Sequence, residues 1–151
     1  MLTQYQYNEW TTLYSDEDKN CRKLFEDFIS KKENDCACAK LIAETKTGEV
    51  YKLEIEGGGG YIMKHDLRKR HRFDYLVQSF FRGSNSFRLL RGLAAAFEKS
   101  PQERGAVHVY LAADRRKLRC VLESYVLMEF IDGKCIDEIV GGISRYAGEC
   151  A

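Results

Sequence analysis

Segments in which apolar and polar residues alternate, joined by very short connections, constrain the fold of this chain most strongly. In residues 50–56 the side chains of Tyr51, Leu53 and Ile55 fall on one face, and charged residues fall on the other. This period of two is typical of a strand with one buried face. Connections of a few residues can join antiparallel hairpins, but they are too short for the crossovers that parallel strands need. The sequence therefore predicts an α+β fold built on antiparallel sheet.

Apolar residues at helical spacing mark the segments that would pack against one face of that sheet. We expect amphipathic helices over residues 16–32, 84–99 and 134–148. We interpret residues 1–14 as an aromatic segment over a sheet edge and residues 57–60, four glycines, as a flexible hairpin tip. Strands are expected over residues 37–46, 50–56, 61–63, 73–82, 107–111 and 117–130, with a turn at 113–115.

The length of 151 residues indicates one α+β domain over residues 1–151. We divide it into an N-terminal segment with a helix (1–35), a first strand–helix half (36–100) and a second half (106–150). The shared element order of the halves leaves an internal duplication open. The sequence contains no apolar run of about 18 residues and no signal-peptide pattern. We therefore expect no membrane partner and an intracellular location, in the cytoplasm or the nucleus.

Charge is strongly segregated along the chain, although the net charge is only +1. Residues 1–56 and 120–151 each carry a net charge of −4, whereas residues 64–119 carry +9. Such a layout produces a local positive field. Arginine predominates in the basic block, and its planar fork suits phosphate groups. We predict a basic binding surface; the alternative is that the acidic ends of the chain neutralise these cations.

Aromatic residues are interleaved with the cations of the basic block. Single-stranded nucleic acids are held by cations along the backbone and by aromatic rings that stack on bases. We predict that Tyr75 and Tyr110 stack on bases and that His65 and His71 extend the basic surface. The candidate phosphate contacts are Lys64, Arg68, Lys69, Arg70, Arg72, Arg82, Arg115, Arg116, Lys117 and Arg119.

The sequence shows no arrangement of residues that is typical of a catalytic site. The glycines of residues 57–60 lack the Lys-Ser/Thr pair and the following helix of a phosphate-binding loop. The six cysteines, without a secretory signal, are expected to be reduced thiols. Cys36 and Cys38 leave a zinc site open, but no second cysteine pair accompanies them. We therefore predict a protein that is not an enzyme, with no cofactor and no assigned catalytic or metal-binding residues.

The repeated order of strands followed by a helix resembles the PUR-repeat and Whirly-type proteins that bind single-stranded nucleic acids. The resemblance rests on strands 49–56 and 73–82, helix 84–99 and the second pass over 106–148. The K-G-K-A-A-L-type motif of Whirly proteins is absent, so no individual residue role is carried over. The resemblance implies binding of single-stranded DNA or RNA on a sheet surface and self-association through the helices.

Three functional hypotheses follow from these patterns, the third being a small enzyme that uses the glycines of residues 57–60 as a ligand loop. The first is a non-enzymatic domain that binds single-stranded DNA or RNA through the basic, aromatic-interleaved surface. The alternative is a protein-interaction module, or a viral or host accessory regulator, whose basic strip binds an acidic protein partner. In that alternative, strand 117–130 and helix 134–148 could build a homodimer.

Overall fold

A computed structural model of the chain describes residues 1–15, 19–32, 39–44, 48–54, 60–67, 73–99 and 107–131. The helices in these residues are α1 (Lys19–Lys32), α2 (Phe73–Arg82) and α3 (Asn85–Lys99). The strands are β1 (Leu2–Tyr7), β2 (Trp10–Ser15), β3 (Ala39–Glu44), β4 (Gly48–Glu54), β5 (Gly60–Leu67), β6 (Val109–Lys117) and β7 (Cys120–Glu129).

These seven strands form one antiparallel sheet in the order β1-β2-β6-β7-β5-β4-β3. The predicted α+β class with antiparallel pairing is confirmed. Strand β7 lies between β6 and β5, so the chain between β5 and β6 passes across β7. That passage contains α2 and α3, and it places both helices next to the centre of the sheet.

Helices cover both faces of the sheet, whereas the sequence predicted one covered face. On one side, the α1 face, the ring of Phe25 packs against the ring of Tyr125. On the other side, the α3 face, Phe87 packs in a second cluster. The consecutive residues Leu111 and Ala112 of β6 belong to the first and the second cluster respectively. Successive side chains of a strand point to opposite faces, so a central strand can serve two cores.

The interpretation of residues 1–14 as a segment over a sheet edge is wrong. They form the β1–β2 hairpin, and β2 pairs with β6 inside the sheet. The periodicity is weak because residues of both parities are buried. Trp10 belongs to the cluster on the α1 face, and Leu13 belongs to the cluster on the α3 face.

Residues 73–82 form helix α2, so the predicted strand at this position is wrong. Apolar residues occupy both parities of this segment, a pattern that does not separate a two-sided strand from a helix. Both edges of β7 are already paired, with β5 and with β6, so a further strand has no place beside it. In the helix Val77, Phe80 and Phe81 share an exposed side at helical spacing, whereas Ser79 is buried.

The predicted turn at residues 113–115 is also wrong, because β6 continues to Lys117. The chain reverses at Leu118 and Arg119, which have φ values of 49° and 68°. Two residues with positive φ are typical of the tight turn that joins twisted antiparallel strands. Asp114 suggested a turn by its residue type, but its side chain is fully buried inside the strand.

Several predictions concern residues that lie outside the described part of the chain. They include the helix at 134–148 and the glycines 57–59, although Gly60 begins β5. The division into halves and the internal duplication therefore stay predictions. None of the described helices has the length and apolar character needed to cross a bilayer.

Candidate functional site

Lys64 stands on a part of the sheet that the helices leave partly open. Its neighbours Met63 and His65 are buried, and His65 stacks on Tyr125 on the α1 face. Alternation along β5 therefore places Lys64 on the α3 face. The Lys64 side chain is exposed, and it forms no ion pair with any described residue.

Four apolar side chains surround Lys64 on the same face. Val50 of β4 and Val126 of β7 are its direct partners in register. Two positions along β5, Ile62 pairs with Met128 of β7. All four are half-buried. We call them the Lys64 floor, because they form an apolar platform beneath a free ammonium group, which suits a ligand with a flat ring and an anionic group.

The segment after β7 closes one end of the Lys64 floor. The Phe130 backbone N–H donates to the Gly60 carbonyl oxygen at 3.2 Å. The Phe130 ring centroid lies 4.5 Å from Lys52 Nζ, and Lys52 also pairs with Glu54 at 3.2 Å. Lys52 is thus occupied by the chain itself, whereas Lys64 is open to an anion.

A network of charges around the buried His65 ring, on the α1 face, holds β5 in register. His65 Nδ1 lies 2.9 Å from Glu49 Oε2, and its Nε2 lies 2.5 Å from Glu123 Oε1. Only the doubly protonated imidazolium can donate to both carboxylates. Because Glu49 belongs to β4 and Glu123 to β7, the contacts clamp β5 between its two neighbours and keep Lys64 on the opposite face. The prediction that His65 extends the basic surface is wrong, since its side chain is buried in this network.

Electrostatic interactions within this network shift the ionisation of its members. Burial raises the pKa of Glu123, but the hydrogen bond from His65 and the positive charges of His65 and Arg115 outweigh burial and hold that pKa below its ordinary value. Burial and the neighbouring Glu49 carboxylate raise the pKa of the Tyr51 phenol. Tyr51 stays protonated and donates to Glu49 Oε2 at 2.8 Å. The network therefore pairs its half-buried carboxylates with proton donors.

A fully buried carboxylate, that of Asp114, anchors the start of α3. Oδ1 of Asp114 accepts hydrogen bonds from the hydroxyls of Ser84 and Ser86, both at 2.7 Å. Its Oδ2 accepts from Arg116 at 2.8 Å. Ser84 Oγ also accepts from the Phe87 backbone N–H at 3.2 Å, which caps the helix. Asp114 thus ties β6 to the first turn of α3.

The cations that the sequence singled out occupy different environments. Arg115 lies 2.5 Å from Glu123 and 3.6 Å from Glu9, and Arg116 is paired with Asp114. These two arginines are therefore partly neutralised by the chain's own carboxylates. The remaining described cations are exposed: Lys64 on β5, Arg82 at the end of α2, and Lys117 and Arg119 near the β6–β7 turn.

Neither tyrosine that was predicted to stack on bases lies on an open surface of the sheet. Tyr110 is half-buried, with its ring centroid 5.3 Å from that of Tyr61 and 4.4 Å from that of His108. Tyr75 lies in helix α2, and its side chain is outside the described part of the chain. The described part of the chain also excludes both the backbone and the side chains of Arg68, Lys69, Arg70, His71 and Arg72.

Sequence reasoning missed the acidic residues that organise both networks. Asp114 and Glu123 each follow a run of apolar residues inside a strand, and that position was the available signal. A charged residue in such a run is usually buried with a partner or faces a functional site. Glu49 had no comparable signal, because its partner His65 lies 16 residues away in the chain.

No metal centre is present among the residues that the structure describes. There, no group of three or more His, Cys, Asp or Glu side chains is arranged to hold an ion. Cys21, which is buried, and Cys120, which is half-buried, are free thiols. Cys36 and Cys38, which left a zinc site open, lie outside the described ranges.

One comparison with known proteins identifies a family. A family model described as "Lipopolysaccharide core biosynthesis protein (WaaY)" matches residues 1–141, which is nearly the whole chain. No curated protein and no solved structure matched the chain.

The family match overturns the functional interpretation of the basic block. The resemblance to PUR-repeat and Whirly-type proteins is wrong, and so is the prediction of single-stranded nucleic acid as the partner. The alternative, an acidic protein partner, is not supported either. The prediction that the chain is not an enzyme is also wrong, because a biosynthetic family implies an enzyme. A positive field indicates affinity for anions but does not say which anion is bound. With the match extending over residues 1–141, the chain belongs to the WaaY family of lipopolysaccharide core biosynthesis proteins.

Proposed function

We propose that this chain binds a nucleoside triphosphate and acts in the transfer of its terminal phosphoryl group to a hydroxyl of the lipopolysaccharide core. The observation that carries the proposal is the free ammonium group of Lys64 above the half-buried Lys64 floor. A flat heterocycle can lie on apolar side chains while its phosphates contact an ammonium group, which binds phosphate as a point charge.

The order of the elements supports this proposal. In protein kinases, the lysine that contacts the nucleotide phosphates stands on the third strand of the amino-terminal sheet, and a helix follows. Here β3, β4 and β5 are successive antiparallel strands, and Lys64 lies on the third. Helices α2 and α3 follow before β6. Residues 61–64, Tyr-Ile-Met-Lys, also have the pattern of apolar residues before a lysine found in the kinase V-A-I-K motif.

Two features depart from the kinase arrangement. The glycine run ends at Gly60, the first residue of β5, whereas kinases carry their glycine-rich loop over the phosphates between the first two strands. The single acidic residue of α3, Glu98, lies in its last turn, lines a cavity with Phe97 and His108, and forms no ion pair with Lys64. In kinases a helix glutamate positions the lysine. In this chain the His65 network on the reverse face of β5 takes over that positioning.

The proposed reaction needs mainly positioning and stabilisation of negative charge. The sugar hydroxyl oxygen bonds to the terminal phosphorus, the bond from that phosphorus to the bridging oxygen breaks, and the nucleoside diphosphate leaves. The hydroxyl proton passes to a base. Lys64 holds the phosphates and offsets their charge, and the Lys64 floor holds the ring. We assign the base to none of the described residues.

Equilibrium binding of magnesium–ATP, followed by titration calorimetry, tests the proposal. Lys64→Met keeps much of the side-chain volume but removes the charge. A hydrogen bond to a charged group is worth about 1.5–3 kcal/mol, so the dissociation constant should rise roughly 10- to 100-fold. Lys23→Met is the matched control, because Lys23 is an exposed lysine on helix α1.

The result is interpretable only if both variants are folded, which far-ultraviolet circular dichroism and urea unfolding establish. Equal ATP affinity in Lys64→Met and Lys23→Met would show that Lys64 does not hold the phosphates. Absence of saturable ATP binding in the unaltered chain would remove the proposal.

A further inference from the structure

Four arginines converge on a cavity at the start of α3. The cavity has a volume of about 160 Å³ and lies where the β1 edge, the end of α2 and the first turns of α3 meet. The arginine residues that line it come from the last turn of α2, from two positions three residues apart on α3, and from β6. They are Arg82, Arg88, Arg91 and Arg116.

Most of this positive charge is not neutralised by the residues that the structure describes. Arg82, Arg88 and Arg91 are exposed and form no ion pair with described residues. No described Asp or Glu lines the cavity. Arg88 and Arg91 lie three residues apart on one helix, a spacing at which like charges repel. Repulsion among these arginines therefore lowers the stability of the chain when no ligand is bound. An anion-binding site is expected to have this property.

Contacts with the rest of the fold hold two residues of the cavity wall, Arg116 and Ser84, in place. Asp114 fixes Arg116 from behind, and the Arg116 guanidinium carbon lies 5.0 Å from the centroid of the Phe87 ring. Ser84 lines the cavity and is anchored by its hydrogen bond to the same carboxylate. The positive end of the α3 dipole points toward this position. One arginine is thus preorganised, and the helix backbone adds to the field.

We propose that this cavity is a binding site for a phosphate monoester carried on a sugar. Arginine forks match phosphate oxygens in pairs of parallel hydrogen bonds. A phosphate monoester carries nearly two negative charges at neutral pH, whereas a carboxylate carries one, so the dianion is the better match for three unpaired arginines beside Arg116, which Asp114 partly neutralises. A volume of about 160 Å³ holds a tetrahedral anion together with bound water.

The site is separate from the place proposed for the nucleotide. Arg116 lies on β6 and Lys64 lies on β5, with β7 between them. The arginines Arg82, Arg88 and Arg91 stand on the helices, not on the Lys64 floor. The proposal therefore does not rest on nucleotide binding, and each site can be removed while the other is measured.

The test is a titration of the full chain with glucose 6-phosphate, followed by phosphorus nuclear magnetic resonance at constant ionic strength. Constant ionic strength is needed because exposed charges are screened by salt. We expect saturable binding that weakens at least tenfold in the double variant Arg88→Ala, Arg91→Ala. The control Lys23→Ala, Lys99→Ala removes the same charge from exposed positions outside the cavity and should bind as the unaltered chain does. Lys64→Met should also retain glucose 6-phosphate binding.

Several results would overturn the proposal. They are no saturable binding by the unaltered chain, equal weakening in both double variants, or loss of binding in Lys64→Met. Binding to phosphatidylglycerol vesicles without binding to glucose 6-phosphate would assign the cluster to a membrane surface instead. Loss of fold does not obscure the outcome, because removing repelling charges should leave urea unfolding of the Arg88/Arg91 variant unchanged or shifted to higher urea. Calorimetry with magnesium–ATP on the same variant separates failure here from failure of the proposed nucleotide site.

Discussion

Replacing Asp114 with alanine should destabilise the chain by about 3 kcal/mol. The substitution removes the acceptor of three hydrogen bonds, two from serine hydroxyls and one from Arg116. The two serine bonds to a charged acceptor are worth about 1.5–2 kcal/mol each. The hydroxyls of Ser84 and Ser86 lie 2.5 Å apart and can bond to each other, which returns about 1 kcal/mol.

The other contributions to this estimate are small and partly cancel. The Arg116 side chain is 33% exposed, so water can replace the lost partner and that bond adds less than about 1 kcal/mol. The space left by the carboxylate adds a similar amount, and the relief of a buried charge opposes both. The total therefore stays near 3 kcal/mol, a large share of the ~5–15 kcal/mol that is typical of a domain.

Urea unfolding followed by far-ultraviolet circular dichroism measures this effect. With a denaturant slope of about 2 kcal/mol per molar urea, the midpoint should fall by roughly 1.5 M. Lys117→Ala, at an exposed lysine of the same strand that forms no ion pair with a described residue, is the matched comparison and should lower the free energy of unfolding by less than about 1 kcal/mol. If Asp114→Ala also costs less than 1 kcal/mol, the reasoning that this carboxylate anchors α3 to β6 is refuted.

Three further substitutions test other parts of the argument. Glu123→Gln should lower the free energy of unfolding at neutral pH and weaken the loss of stability in acid. The pKa of Glu123 is lower in the folded chain than in the unfolded chain, so its stabilisation is present above the unfolded pKa and is lost as the pH falls through the folded pKa. Urea midpoints between pH 7 and pH 3 that keep the same pH dependence as the unaltered chain would contradict this. Gly48→Ala should cost about 1–3 kcal/mol, because a Cβ there would lie 2.5 Å from the His65 carbonyl oxygen, and an unchanged thermal midpoint would show that β4 and β5 can separate freely. Arg119→Gly should stabilise the chain by about 0.5–1 kcal/mol, since φ at this position is 68°, and a lower unfolding midpoint would instead assign the Arg119 side chain a structural contact.

Much of the secondary structure was predictable because it depends on local periodicity. The alternation in residues 50–56 identified the core of β4, and apolar spacing identified α3 nearly to its ends. Residues 73–82 failed, since apolar side chains on both parities fit either a helix or a two-sided strand. Only the pairing of β7 with both β5 and β6 excluded the strand.

The candidate site was harder to predict than the elements that carry it. The sequence singled out Lys64 only as one of many cations. What separates Lys64 from Arg115 and Arg116 is that each arginine forms an ion pair with a carboxylate, whereas Lys64 forms none with a described residue. Arg115 meets Glu123 across the β6–β7 pair, and Asp114 takes Arg116. Lys64 meets no described acid, because its direct partners in register are two valines.

From its residue order alone, the chain determined the alternation of its strands, the apolar stripe of α3 and the concentration of positive charge between residues 64 and 119. The tertiary structure decided which of those charges are free and which are paired. The reason is distance along the chain: His65 meets a carboxylate 16 residues before it and another 58 residues after it, and both contacts exist only because the sheet order brings β4, β5 and β7 together. Local patterns record which face of an element is buried, whereas the partner of a buried charge is set by the packing of distant elements.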